Sequence, residues 1–161
     1  MLAEEDIEKL LDELDLRQIF GLAVKSEMEA QQRYSLLAEM VEDDQLKDHI
    51  RKFVEEEKKH ERQFREIFSD FFPDRTMEIP DDSVKPAPDL QLEARQGTVG
   101  LLKKALESEQ ESESFYHLLA ERLEQQESRR IVAYFASVER DHYEFIRAQL
   151  EELGSEEDGH K

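Results

Sequence analysis

Apolar residues recur at intervals of three and four along four long stretches of the chain, a spacing that places them on one face of an α-helix. The pattern therefore predicts four long helices. Their predicted bounds are 16–42, 44–71, 98–126 and 128–153. Asp15 and Thr98 are suitable N-cap residues, and Gly154 is expected to end the fourth helix. Residues 3–14 are expected to form a short additional helix.

The stretch 72–97 contains all four prolines and has no sustained periodicity, which predicts a long connection with a short helical turn near 90–95. Short loops within each pair of helices make the two members antiparallel neighbours. An extended chain covers about 3.3 Å per residue, so this connection is long enough to return along the bundle. The prediction is an all-α, antiparallel four-helix bundle made of two helical hairpins joined by a long crossover. The predicted domain covers 1–153, and 154–161 is expected to be a disordered tail.

The two hairpins repeat each other. A shift of 82 residues places the first hairpin on the second without a gap, so that Glu27 falls on Glu109 and Tyr34 on Tyr116. In both copies a Glu-x-x-His motif begins 30 residues after the first glutamate. The motif residues are Glu57 and His60 in the first copy and Glu139 and His142 in the second.

Six ionisable residues thus occupy core-facing positions near the middle of the helices. They are Glu27, Glu57, His60, Glu109, Glu139 and His142. An isolated buried carboxylate costs several kcal/mol even after the protein relaxes. The carboxylates could be protonated, paired with Lys or Arg, or bound to metal, and because the same stripes carry no Lys or Arg, internal salt bridges are not expected. Four carboxylates balance the charge of two divalent cations, and two neutral imidazoles would complete the ligand set, so metal binding is the favoured interpretation. Carboxylate with imidazole suits iron, manganese or, less selectively, zinc.

The first histidine of the repeat follows three glutamates, Glu55, Glu56 and Glu57, and each of them is a local candidate for the motif. The second copy distinguishes between them. Ser137 and Val138 stand at the positions equivalent to the first two, and only the third has a glutamate opposite. The repeat therefore selects Glu57 as the core-facing residue.

Tyr34 and Tyr116 recur two helical turns after the first glutamate of each copy. Two interpretations stay open for them. They are either aromatic residues of the core or hydrogen-bond donors that orient the ligand carboxylates from the second shell.

The chain has 22 Lys and Arg against 41 Asp and Glu, which gives a formal net charge of −19. Such a surface repels nucleic acid and anionic lipid and attracts cations. The absence of cysteine excludes disulfides, thiolate zinc sites and thiol chemistry in these residues. There is no apolar run of about 20 residues, and the acidic amphipathic N-terminus differs from a secretory signal. No membrane association and a cytoplasmic location are therefore expected.

The repeated motifs resemble the ferritin-like superfamily, and most closely its rubrerythrin-type branch, over residues 16–153. The residues that carry the resemblance are Glu27…Tyr34, Glu57-Lys58-Lys59-His60, Glu109…Tyr116 and Glu139-Arg140-Asp141-His142. The resemblance implies a ferritin-like four-helix bundle that holds two iron ions as a di-iron centre and reacts with peroxide or dioxygen. It also implies that Glu57 and Glu139 bridge the metals, while the other four ligands are mostly terminal.

The chain departs from the family pattern at two points. Full rubrerythrins add a rubredoxin domain that holds iron with four cysteines, so this chain would need a separate electron donor protein. Rubrerythrins also tend to have a further Glu three residues after the third-helix ligand, where this chain has Ser112, and the adjacent Glu113 points partly away. In the family that carboxylate is linked to the movement of one iron during peroxide reduction. The symmetric six-ligand set is closer to generic ferritin-like oxidases.

The favoured hypothesis is therefore a redox enzyme that reduces peroxide or oxidises Fe(II), with a role in oxidative stress or iron handling. The alternative is a non-catalytic protein that sequesters or delivers iron, and the third hypothesis is a structural bundle without metal. The resemblance also implies a homodimer, in which the proline-containing crossover could exchange halves between two chains.

Overall fold

The computed structural model describes residues 1–159, with side chains described as far as residue 154, and this range contains six helices and no strand. The helices are α1 Glu4–Glu13, α2 Leu16–Met40, α3 Asp44–Phe71, α4 Leu90–Arg95, α5 Gly97–Arg122 and α6 Gln126–Gly159. Helices α2 and α3 form one hairpin and α5 and α6 the other, which confirms the predicted all-α bundle. None of the described helices has an apolar stretch long enough to cross a membrane.

Side-chain caps mark the starts of the two helices in the first hairpin. The Asp15 carboxylate accepts a hydrogen bond of 2.9 Å from Gln18 N, and the Asp43 carboxylate accepts one of 2.9 Å from Leu46 N. These bonds satisfy backbone donors that the first turn of a helix leaves unpaired. The predicted cap at Asp15 is thus confirmed, and α3 has its predicted bounds.

The predicted N-cap at Thr98 is wrong, because α5 begins at Gly97, directly after the short helix α4. The single residue between the two helices, Gln96, closes α4 and opens α5. Gly97 has a φ of 82°, and it is the only residue with a positive φ in the described part of the chain. Glycine takes this conformation without steric cost, so the chain changes direction here without a capping side chain.

The two helices of the second hairpin also differ from their predicted ends. Helix α5 ends at Arg122, four residues early, because Leu123 turns into an extended conformation and packs in the core. Helix α6 continues through Gly154 to Gly159, so the predicted stop is wrong. One glycine costs a helix only about 1 kcal/mol. The predicted disordered tail is thus helical up to residue 159, and residues 160 and 161 lie outside the described residues.

The apolar core consists of two clusters that lie toward opposite ends of the bundle. The first is built around Phe20, Phe64, Phe68, Leu119 and Phe135, and includes Ile7 and Leu11 of α1. The second is built around Leu37, Ile50, Phe53, Leu101, Leu102 and Ile146. In each long helix, the stretch between the two clusters carries the ionisable residues of the repeat. The candidate site is therefore a polar layer between two apolar clusters.

Polar contacts hold the crossover against α2. The side chain of Lys25 is buried, and its ammonium donates to the Lys85 carbonyl oxygen at 2.7 Å and pairs with Asp82 at 3.2 Å. Lys85 in turn donates to Ser26 Oγ at 2.8 Å and pairs with Glu29 at 3.3 Å. The middle of the crossover is thereby fixed to the first hairpin.

A close backbone approach and a buried ion pair fix the two ends of the crossover. A Cβ at Gly21 would lie 2.2 Å from Glu78 O, so the crossover passes α2 at a point where any side chain would displace it. At the other end, the guanidinium of Arg33 pairs with Glu93 on α4 through contacts of 2.9 and 3.4 Å. Both residues are buried. Helix α4 is therefore anchored to α2 by charge as well as by packing.

Replacing Glu93 by glutamine should destabilise the protein, because it leaves the Arg33 guanidinium buried beside a neutral amide. Breaking a buried pair on one side costs about 3–5 kcal/mol. The matched control is Glu55→Gln, which removes one partner of the exposed Glu55–Lys58 pair and should cost less than about 1 kcal/mol. Urea unfolding of the metal-free variants measures both values. Equal shifts for the two variants would show that the buried pair has no special structural role.

Candidate metal centre

The six ionisable residues of the repeat lie together in the middle of the bundle. Each of them is at most 3% exposed, so the cluster is almost completely removed from bulk water. The members are Glu27 on α2, Glu57 and His60 on α3, Glu109 on α5, and Glu139 and His142 on α6. They form two groups of four, and within each group one ligand-type atom per residue lies within 4.8 Å of the others. Both groups contain Glu57 and Glu139.

Each group takes three residues from one hairpin and one carboxylate from the other. In the first group, His60 Nδ1 lies 3.6 Å from Glu27 Oε1 and 3.1 Å from Glu139 Oε1. Here Glu139 is the contribution of the second hairpin. The two hairpins must therefore be in place before this group is complete.

The second group mirrors the first. His142 Nδ1 lies 3.5 Å from Glu109 Oε1 and 3.7 Å from Glu139 Oε2, both in the second hairpin. It also lies 3.1 Å from Oε1 of Glu57, which the first hairpin contributes. Both histidines thus direct the same ring nitrogen, Nδ1, toward the carboxylates.

A phenyl ring from the opposite hairpin packs on each histidine. Phe135 lies on His60 with ring centroids 4.2 Å apart, and Phe53 lies on His142 at 4.0 Å, both with an interplanar angle of 31°. Phe53 and Phe135 are equivalent in the repeat. These rings restrict the imidazole orientations and exclude water from one side of each histidine.

The two tyrosines of the repeat donate hydrogen bonds across the hairpins. Tyr34 Oη donates to Glu109 Oε1, and Tyr116 Oη donates to Glu27 Oε1. Burial raises the pKa of both phenols well above the usual range, and the nearby carboxylates raise it further, so both hydroxyls stay protonated. The tyrosines therefore contact the cluster directly and do more than fill the core.

The structure adds one contact that the sequence did not indicate, and it involves Glu56, which the repeat had set aside as a partner of His60. His142 Nε2 donates a hydrogen bond to Glu56 Oε2, on the side of the ring that faces away from the other carboxylates. The charge and hydrogen bond of His142 lower the pKa of Glu56, so this carboxylate is ionised. Glu56 has no glutamate at the equivalent position of the repeat, so the repeat selected Glu57 as the core-facing residue. For the same reason the repeat gave no sign of the contact between Glu56 and His142.

The central carboxylates resist ionisation in the metal-free protein. Burial raises the pKa of Glu57 and of Glu139 well above the usual range, and the neighbouring carboxylates raise it further. Burial also acts on Glu109, but the adjacent Glu139 and His142 side chains outweigh it and lower the pKa of Glu109. Folding thus favours the ionised form of Glu109 and the protonated forms of Glu57 and Glu139.

The pKa values of the two cluster histidines are raised, whereas burial without a charged partner lowers the pKa of an imidazole. Burial alone would lower the pKa of His142, but the carboxylate of Glu109 outweighs burial and raises it. Glu27 likewise raises the pKa of His60 against the effect of burial. A cation that binds this cluster must therefore displace protons from imidazoles and carboxylates, which makes its affinity pH-dependent.

Unpaired atoms in the cluster indicate that it fits metal ions. Five buried side-chain atoms have no hydrogen-bond partner in the described part of the chain, and four of them belong to the cluster. These four are Glu27 Oε2, Glu57 Oε1, Glu109 Oε2 and His142 Nδ1. Each unpaired buried polar atom costs about 1–3 kcal/mol. Carboxylate oxygens with imidazole nitrogens are ligands suited to iron, manganese or zinc, so the residues present fit such an ion.

Basic side chains do not neutralise the cluster. Two basic residues are buried in the described part of the chain, Lys25 and Arg33, and both lie on α2. Lys25 pairs with Asp82 and Arg33 with Glu93, so both charges face the crossover. The carboxylates of the cluster are left with two imidazoles and with whatever cation they bind.

A surface cleft of about 410 Å³ borders the cluster on the side of its two histidines. Its lining includes Phe53, Glu56, His60, Tyr134, His142 and Phe145.

A second cavity, of about 340 Å³, lies under α1, and its wall includes Ser112. Glu113 turns away from the cluster and lies 3.7 Å from Arg140 and 3.9 Å from His117.

The fold and the cluster together define a class of protein, the ferritin-like helical bundles with a carboxylate–histidine site for two metal ions. The Rubrerythrin family model matches residues 18–150 of this chain. The chain therefore belongs to the rubrerythrin family, whose members are di-iron carboxylate proteins.

The fold is also similar to a solved structure, that of a hypothetical protein from Pyrococcus furiosus. The two sequences are 33% identical, the TM-score is 0.81, and the match covers 92% of this chain and 96% of the other. A comparison with curated protein sequences gives no match.

The metal-free protein should lose stability as the pH rises from about 5 to 8. Because the pKa values of Glu57, Glu139, His60 and His142 are raised by folding, the folded state holds more protons than the unfolded state in this window. Stability therefore falls with increasing pH. The measurement is the melting temperature in the presence of a chelator.

The control for this prediction is the double variant Glu57→Gln with Glu139→Gln, which cannot titrate at the shared positions. Its melting temperature should depend less steeply on pH than that of the parent. General repulsion among the surface carboxylates acts on both proteins alike, so the difference in slope isolates the cluster. Identical slopes, or a parent melting temperature that rises with pH, would contradict the assignment.

Proposed function

We propose that this chain holds a di-iron centre and is an oxidoreductase of the rubrerythrin type that acts on hydrogen peroxide or dioxygen. The observation that supports the proposal most strongly is the pair of buried ligand groups that share Glu57 and Glu139. Four carboxylates match the charge of two divalent ions, and manganese or zinc would satisfy the same donor set less specifically.

In this proposal the ligand roles follow the two groups. Glu57 and Glu139 belong to both groups and would hold both ions. Glu27 and Glu109 would each hold one ion, and His60 and His142 would each add one imidazole through Nδ1, the nitrogen that faces the carboxylates. The geometry of the metal-free residues supports these roles because every proposed ligand already faces the cluster.

The surrounding side chains prepare the site for its ligands. The hydroxyls of Tyr34 and Tyr116 fix one oxygen of Glu109 and of Glu27, which leaves the other oxygen of each carboxylate for an ion. Phe53 and Phe135 keep the imidazoles in place. Partners of this kind orient the ligands and hold them in the geometry that the site needs.

A di-iron centre held by these residues would supply two electrons, one from each Fe(II), and with two protons these would reduce one hydrogen peroxide to two waters or one dioxygen to hydrogen peroxide. The protein contributes ligands, exclusion of water and proton exchange. The cleft beside His60 and His142 is the proposed path for a small oxidant. Because the chain has no cysteine-held iron of its own, the electrons for further turnovers would come from a separate donor protein.

A second candidate function is sequestration or delivery of iron without turnover. The net charge of −19 favours it, since an acidic surface raises the local concentration of Fe(II), which would then be cargo or substrate. Retention of iron well above two ions per chain would support this function. A structural bundle without metal is the remaining alternative, and assembly as a homodimer is a further proposal from the family.

The first prediction from this proposal concerns metal content. After anaerobic loading with Fe(II) and desalting, the parent should retain about two iron ions per chain. The double variant Glu57→Ala with Glu139→Ala removes both shared carboxylates and should retain far less. Elemental analysis measures both values.

The matched control replaces two exposed glutamates, Glu55 and Glu124, by alanine. It changes the net charge by the same amount as the double variant and should keep the metal content of the parent. Absence of retained metal in the parent with iron, manganese and zinc would disprove the proposed centre. Equal losses in the two double variants would attribute binding to surface charge.

The second prediction concerns the oxidant. Anaerobic protein loaded with Fe(II) should consume about one hydrogen peroxide per two iron ions, because each ion gives up one electron. Stopped-flow absorbance follows the reaction with peroxide and, separately, with dioxygen. Ser112 replaces a carboxylate that the family links to peroxide reduction, so the ratio of the two rates decides between peroxidase and ferroxidase activity. Rates equal to those of free Fe(II) in the same buffer would contradict both activities.

A further inference from the structure

The two histidines of the cluster differ on their outer sides. His142 Nε2 donates to Glu56, a side chain that is 48% exposed and borders the cleft. The residue equivalent to Glu56 in the repeat is Val138, which has no hydrogen-bonding side chain. The contact with His142 therefore has no counterpart at that position for His60.

Other features of the two histidines are closely matched. Each Nδ1 has its nearest carboxylate oxygen at 3.1 Å, and each ring packs on a phenyl group at about the same distance and angle. Both residues are almost completely buried. The contact with Glu56 is thus a difference between two histidines whose other surroundings are closely matched.

A carboxylate at the outer nitrogen of a metal-binding histidine has two effects. It fixes the proton on Nε2, so that the lone pair of Nδ1 is directed toward the ion, and it adds negative charge near the cation. Both effects strengthen binding at that position. Removing such a partner typically weakens metal binding about 10- to 100-fold.

We infer that Glu56 is a positioning residue for His142 and makes the two metal positions unequal, so that the position built on His142 binds a divalent cation more tightly than the position built on His60. The inference rests on the proposed function, since it concerns the affinity of that same centre. It adds an order of filling: the His142 position is occupied first.

The test measures binding of Co(II) in competition with a chelator, with the visible absorption of bound Co(II) as a second readout of its ligand geometry. The parent should show two binding steps. In a His60→Ala background, which retains the His142 position, adding Glu56→Ala should lower Co(II) affinity about 10- to 100-fold. In a His142→Ala background, the same change should alter affinity less than about twofold, because the partner of Glu56 is already absent.

Two further variants distinguish positioning from a general structural effect. Glu56→Gln keeps a hydrogen-bond acceptor without the charge, so it should retain more affinity than Glu56→Ala and restore the parent absorption spectrum. Val138→Glu in the His142→Ala background should raise the affinity of the remaining position, because it supplies His60 with the missing partner. Glu55→Ala, which removes an adjacent exposed carboxylate, is the control and should leave both steps unchanged.

The outcomes separate this inference from the proposed function. A parent that binds no Co(II) disproves the metal centre itself. A parent that binds two ions, with Glu56→Ala either harmless in the His60→Ala background or equally damaging in both backgrounds, overturns the role of Glu56 and leaves the centre intact. Selective weakening in the His60→Ala background supports it.

Discussion

This structure depends on one constraint: four carboxylates are buried in the core, and within the described residues two imidazoles are the only basic groups beside them. Such a layer is stable only if the carboxylates hold protons, receive hydrogen bonds or bind cations. The metal-free protein uses the first two: burial raises the pKa of Glu57 and of Glu139 and so favours their protonated forms, and the tyrosines donate to Glu27 and Glu109. The unpaired oxygens that still remain indicate the third.

The rest of the fold keeps this layer dry and its two halves together. Apolar clusters close it on both sides along the bundle, and the hydrogen bonds of the tyrosines run between the hairpins. The crossover is attached to α2 by Lys25 and Arg33, so the buried basic groups stabilise the connection and do not neutralise the carboxylates. On α2, the buried basic side chains of Lys25 and Arg33, which hold the crossover, are therefore separate from Glu27, which belongs to the carboxylate cluster.

Periodicity and the internal repeat were sufficient to predict the bundle and to select six residues that the structure brings together. They failed where local chemistry is ambiguous. Gly154 is of a residue type that often ends a helix, but it stays helical. Thr98 is of a residue type that often caps a helix, but it follows a turn made by Gly97. Glu56 was not predicted, because it lies off the apolar stripe and does not recur. A contact between the outer side of a histidine and a residue 86 positions away has no signature in a single sequence.

The two hairpins of the repeat have the same pattern but different neighbours. Each hairpin can therefore be compared with the other, position by position, through the shift of 82 residues. Where they agree, as at Glu27 and Glu109, the two residues occupy equivalent positions in the cluster. Where they disagree, as at Gly21 and Lys103, one half has an additional neighbour, here the crossover backbone at Glu78. A difference between equivalent positions of the two hairpins, such as this one, marks a place where the pseudo-symmetry of the bundle is broken by a neighbouring segment.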